Sequence, residues 1–230
     1  MPATKVPARL IDPPDRLVPP STAAVIESIA AAVHGILTLG GLPVVLGGEH
    51  TVTGGVIRGY LDAGVRDFGV VQIDAHADLR EAYDGDPLSH ASVMRRVVEA
   101  GVPLVQLGNR AYCEEEREAR ATHGVRYLDA ETLVPRGIDS IELPPDFPPD
   151  VFFTVDIDGI DPSVLPATGT PVPGGLTWYQ TLGLFESVAR QRRIIGFDVM
   201  EFAPIPGFHA FDFAAALLAY KLMGIVQRSA

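Results

Sequence analysis

The sequence has a single cysteine, Cys113, so no internal disulfide can staple the chain. Its first twenty residues carry Pro2, Pro7, Pro13, Pro14, Pro19 and Pro20 where a secretory signal would have an apolar stretch. Both absences point to the cytoplasm. Long uncharged apolar runs are also lacking, because Glu27, His34 and Lys221 interrupt the most hydrophobic stretches, and no membrane span is expected. Positive charge is scarce: 18 Lys and Arg stand against 29 Asp and Glu, a formal charge of −11 that argues against a nucleic-acid partner and favours a small cationic ligand. There is no internal repeat and no low-complexity tract. What is present is ordinary for a packed protein, with 47% hydrophobic residues in 230, enough to bury a sheet between two helix layers.

Residues 1–20 are expected to form an extended proline-rich arm, and 21–230 a single domain. Short β-branched runs at 42–46, 68–73, 102–107, 125–128, 151–155 and 194–199 read as strands. Helical spacing falls at 22–39, 51–63, 89–100, 114–122, 178–190 and 210–226, with Thr22, Ser89 and Thr177 as candidate caps. Repeated βα alternation implies a three-layer α/β/α fold with a mainly parallel, doubly wound sheet. Six strands are too few for an eightfold barrel.

The most specific segment is VVQIDAHAD, where a strand runs into Asp74, His76 and Asp78. Residues two apart on an extended chain point the same way, so these side chains converge as metal ligands do. In TVDIDGIDP the same alternation brings Asp156 and Asp158 together, and close carboxylates repel unless a cation lies between them. In VVLGGEHT the glycines allow a tight turn that presents His50 just before a helix. All three segments end strands, and in an α/β sheet those ends share the carboxyl edge, where ligand crevices form. His34 and His123 lie outside these segments and read as core-edge and loop residues, Cys113 reads as a loop residue, and His209 reads either as a residue reaching the pocket rim or as part of a helix entrance.

GGEHT, DAHAD, SHAS, VDIDGIDPSVLPATGTPVPGGLT and FDVMEFAP follow one another as the motifs of the ureohydrolase family do, and over about residues 40–228 the chain resembles its arginases and agmatinases, the agmatinases most. The resemblance implies two manganese ions. One would be held by His50, Asp74, Asp78 and Asp156, the other by His76, Asp74, Asp156 and Asp158. Four carboxylates with two imidazoles suit manganese better than tetrahedral zinc. The resemblance further makes Asp78, His90 and Glu201 catalytic, with Glu201, Thr170 and His90 around the substrate. Taken alone, His90 at a helix start reads as a structural or solvated histidine, and Glu201 as a loop carboxylate. Their places in the motif order give them roles.

The implied reaction is attack of a metal-bridging hydroxide on a guanidinium carbon, giving urea and an amine, with Asp78 carrying a proton and Glu201 orienting the guanidinium. Arginases carry a serine, glycine and asparagine group ahead of the shuttle histidine. LREAYDGDPLSH lacks it, and Glu81, Asp84 and Asp86 crowd the loop, so a cationic agmatine-like substrate is expected over arginine. Arg80 and Arg110 are the counterweight, as either could turn inward to hold a carboxylate. Other readings are an amidine hydrolase of the same family acting on arginine, guanidinobutyrate or formiminoglutamate, and a catalytically impaired metal-binding paralogue. Against the family pattern two departures are expected: an N-terminal segment with its first strand missing ahead of the matched motifs, and Asn109 where the resemblance implies an aliphatic residue. A homo-oligomer that covers an exposed strand edge is expected.

Overall fold

The computed structural model of the protein describes residues 21–229. The expected arm at 1–20 lies outside them. Six strands, β1 (Val44–Leu46), β2 (Phe68–Ile73), β3 (Leu104–Leu107), β4 (Arg126–Leu128), β5 (Asp150–Asp156) and β6 (Arg193–Met200), form one sheet in the order β1-β6-β5-β2-β3-β4, every pair parallel. Every residue of β2 and β3 is buried, as expected of strands covered on both faces.

Two apolar layers sandwich the sheet. On one face Val33, Val56, Ile57 and Tyr60 of α1 (Thr22–Thr38) and α2 (Thr51–Asp62), with Met94 and Val97 of α3 (Val93–Glu99) and Ala119 of α4 (Glu114–Thr122), pack on Phe68, Val70 and Phe152. On the other, Leu133 of α5 (Ala130–Leu133), Leu184 and Phe185 of α6 (Trp178–Ala189) and Leu218 and Leu222 of α7 (His209–Ser229) pack on Val71, Phe153 and Phe197. Each fully buried side chain of this size contributes about 1.5–3 kcal/mol relative to exposure.

The boundaries depart from the sequence reading in ways that have local causes. The 89–100 segment divides into a 3-10 turn, His90–Ser92, followed by α3. The cap of α1 is Ser21, whose side chain accepts from the Ala24 N–H, with Thr22 already inside the helix. Thr177 does cap α6, as expected, and the N–H of Gln180 donates to its hydroxyl. By length and composition α7 could cross a membrane, with a mean hydropathy of 1.4 despite Lys221, yet Leu218, Leu222, Ile225 and Val226 lie in the core.

Strand order fixes where a site can form. From β2 the chain moves outward through β3 and β4, then crosses back to β5 and β6 on the other side. The crevice between the carboxyl ends of β2 and β5 is therefore a topological switch point, the usual place for ligands in such sheets.

Candidate metal centre

Asp74 follows the last residue of β2, Asp156 ends β5, and His50 caps α2 after the turn that leaves β1. These three offer ligand atoms within 4.8 Å of one another, and so do Asp74, His76 and Asp158. The two groups share Asp74. Asp78 joins the first, its Oδ2 lying 3.0 Å from His50 Nδ1, which is also 3.1 Å from Asp74 Oδ2 and 3.2 Å from Asp156 Oδ2. In the second, His76 Nδ1 is 3.0 Å from Asp158 Oδ2 and 3.6 Å from Asp74 Oδ1. The carboxylates are all buried, whereas His76 is partly exposed.

Backbone contacts hold this cluster open. The His76 N–H donates to Asp74 Oδ1, the Asp158 N–H to Asp156 Oδ1, and the Ala75 N–H to Asp158 Oδ1. Gly159 permits the last of these, because a Cβ there would stand 2.8 Å from the Asp74 nitrogen. Asp78 reaches its position with a left-handed φ of 53°, and Glu201 with 62°.

The electrostatics show what the cluster is suited to hold. Burial, then the Asp74 charge, pushes the Asp78 carboxyl up to about 8. Burial with the charges of Asp74 and Asp158 raises Asp156 as well. Burial opposes the charged forms of His50 and His76, but the surrounding carboxylates outweigh it, raising both imidazoles, His76 to about 11. Burial alone would raise Asp74; hydrogen bonds to His50 and His76 hold it low instead. Protons are thus drawn to a point where four carboxylates meet, which is the demand a divalent cation satisfies. His50 Nδ1, buried and facing three carboxylate oxygens with a hydrogen bond aimed at none of them, is the other sign of fit. Its Nε2 lies 2.9 Å from the Thr154 hydroxyl; with a proton on Nε2, Nδ1 keeps its lone pair for a metal.

The remaining expected residues surround the cluster. Thr170 Oγ1 donates to Asp158 Oδ2 at 3.0 Å. Glu201 Oε1 accepts the His50 N–H at 2.7 Å, leaving Oε2 for another partner. His90 Nδ1 lies 3.1 Å from Glu49 Oε2, its ring 5.4 Å from that of Tyr83, and it belongs to neither ligand group. His34 and His209 are exposed, and His123 caps the end of α4.

Three expectations about charge at the mouth change. Arg110 does not turn inward to hold a carboxylate: its guanidinium donates to the backbone carbonyls of Asp158, Val172 and Gly108 and fastens two loops together. Glu81 is paired with Arg95 and Arg96 of α3, and Asp86 accepts from the Thr22 hydroxyl, so both are engaged locally. Glu49 and Glu201 do reach the site, the former touching His90 and the latter the His50 backbone. Sequence reading also missed Gln72, Thr154 and Arg120, polar residues in apolar surroundings whose partners come from other elements.

A model of the arginase family matches residues 5–224. The chain is 40% identical over 182 residues to the N(1)-aminopropylagmatine ureohydrolase of Synechocystis sp., covering 76% of this chain and 58% of that protein. It is 31% identical over 159 residues to the agmatinase of Pyrococcus horikoshii, covering 69% and 55%. The chain therefore spans a little over half the length of these relatives. Among solved structures, the agmatine ureohydrolase of Thermoplasma volcanium superposes with a TM-score of 0.71 at 29% identity over 91% of this chain and 69% of that one. The arginase of Medicago truncatula gives 0.77 at 29% over 89% and 65%. With its six parallel strands, its clustered carboxylates and imidazoles, and a family model matched over residues 5–224, the chain belongs to the arginase family.

Proposed function

We propose that this protein is a binuclear manganese hydrolase that cleaves the guanidino group of a cationic alkylamine to urea and an amine. The observation that carries the reading is the pair of ligand groups sharing Asp74 at the switch point of the sheet. His50, Asp74, Asp78 and Asp156 would hold one ion, and His76, Asp74, Asp156 and Asp158 the other. Oxygen-rich donor sets of this kind favour manganese over tetrahedral zinc. Bound there, two such ions would supply Lewis acidity and make water acidic enough to react at neutral pH.

The chain's own residues do the rest. Glu201, with Oε1 tied to the His50 N–H, offers Oε2 to the guanidinium through charge-assisted hydrogen bonds and so fixes the carbon's position. Asp78, buried with its Oδ2 3.0 Å from His50 Nδ1, would take a proton and pass it to the departing amine. His90, half exposed beside Glu49, connects that proton traffic to solvent. Thr170 fixes Asp158 from the substrate side.

The substrate reading rests on the acids at the site, Glu49 and Glu201, and on the two arginines that could have held a carboxylate being engaged elsewhere, Arg110 with backbone carbonyls and Arg80 with Glu116 and the Tyr83 ring. The names of the relatives, agmatinase and N(1)-aminopropylagmatine ureohydrolase, support an amine-terminated substrate too. With manganese added, kcat/KM for agmatine or N(1)-aminopropylagmatine is expected to exceed that for arginine and 4-guanidinobutyrate, read as urea released. Arginine or guanidinobutyrate equalling the amines would overturn the charge argument. No urea from any of the four would overturn the activity.

A further inference from the structure

Gln72 and Gln106 sit opposite each other in the β2–β3 register, fully buried in strands that are otherwise apolar apart from this pair. Burying two amides is costly unless every strong donor and acceptor is answered. Here they are answered in sequence. Arg120 Nε donates to Gln106 Oε1 at 2.8 Å, Gln106 Nε2 to Gln72 Oε1 at 2.7 Å, and Gln72 Nε2 to Asp74 Oδ2 at 2.6 Å. A branch leaves the same guanidinium: Arg120 Nη2 donates to Asn109 Oδ1 at 2.7 Å, and Asn109 Nδ2 donates to the carbonyls of Asp74 and His76.

Resting on the metal-centre reading above, we infer that Arg120 is a positioning residue for that centre, setting through these amides how Asp74 and His76 are presented to the two ions. A guanidinium has five donors and no acceptor, so Gln106 must turn its oxygen toward it. Its Nε2 then faces Gln72, whose oxygen must answer, and Gln72 can present only N–H to Asp74. One donor-only residue therefore fixes the sense of the whole chain. With Gln72 on Oδ2 and the His76 N–H on Oδ1, the Asp74 carboxylate is held at both oxygens in an orientation that faces His50 on one side and His76 on the other.

Arg120 is itself immobilised. Asp129 pairs with it at 3.1 Å, and the rings of Tyr112 and Tyr127 lie 4.4 and 4.3 Å from its guanidinium carbon. Asn109 is what lets the guanidinium reach the ligand loop's backbone.

Manganese titration of the chelator-stripped full chain, followed by calorimetry, tests this. Arg120→Met is expected to weaken both binding events about 10- to 100-fold, the range for lost outer-shell partners. Gln72→Met should act mainly on the ion beside His50 and Asn109→Leu mainly on the one beside His76, while Arg120→Lys, still donor-only, should restore part of the loss. Leu222→Ala, a core truncation on α7, separates positioning from general destabilisation: it should lower the melting temperature of the stripped protein and leave manganese affinity unchanged. If Arg120→Met does not fold, Gln72→Met and Asn109→Leu carry the test. Wild-type affinity in the folded variants overturns the inference and leaves the metal reading standing. Failure of the wild-type chain to bind manganese overturns both.

Discussion

Asp74→Asn is expected to lose both metal ions and all urea release together, and Asp156→Asn to do the same. Asp74 belongs to both ligand groups, and an amide offers one neutral oxygen where two anionic ones are needed. The new NH2 would also face a donor whichever way it turned, since Gln72 Nε2 approaches one oxygen and the His76 N–H the other. Two facing donors without an acceptor leave buried polar groups unsatisfied, which costs about 1–3 kcal/mol in addition to the lost ligand. Asp156 is similarly engaged, with Oδ1 taking the Asp158 N–H and Oδ2 facing His50. Elemental analysis of the purified variants decides the matter. An Asp156→Asn protein with two manganese ions and full turnover would remove the second aspartate segment from the ligand set.

The second large effect is expected at His90. Its replacement by Ala should lower kcat by about 10²- to 10⁴-fold, the usual contribution of a general acid–base group, with both ions retained. Geometry separates it from the ligands, because its ring is held by Glu49 and Tyr83 and contributes no atom to either group. The measurement is kcat across pH alongside metal content. An unchanged kcat would return His90 to a structural role, and loss of an ion would move it into the ligand set.

The parts legible in the sequence were those encoded locally. The apolar run at 68–73 is β2 to the residue, and Asp74, His76 and Asp78 do share one region, although the backbone bends at Ala75 and turns left-handed at Asp78, so the loop and not strand alternation brings them there. What escaped depends on register between elements. Gln72 and Gln106 meet only because β2 and β3 pair in the register they do, and Arg120 joins them from α4. Likewise Glu81, Asp84 and Asp86 read as a field at the site mouth because sequence does not reveal that Arg95 and Arg96 neutralise the first from a neighbouring helix. The short α5 was missed since four residues, Ala130–Leu133, carry too little periodicity to register. Ser21 displaced Thr22 as a cap because either hydroxyl could serve and the helix began one residue earlier.

The left-handed backbone at Asp78 and Glu201 gives protein engineers a trap. A side chain in that conformation costs about 1–2 kcal/mol that glycine avoids, so a search for heat-tolerant variants would be drawn to Asp78→Gly and Glu201→Gly. Thermal melts should rank Glu201→Gly above Glu201→Ala, while both lose urea release; a reversed order would mean that the turn carries no such strain. Selection for robustness and selection for turnover therefore pull in opposite directions at these two positions, and a screen that scores only survival on heating would enrich inactive proteins.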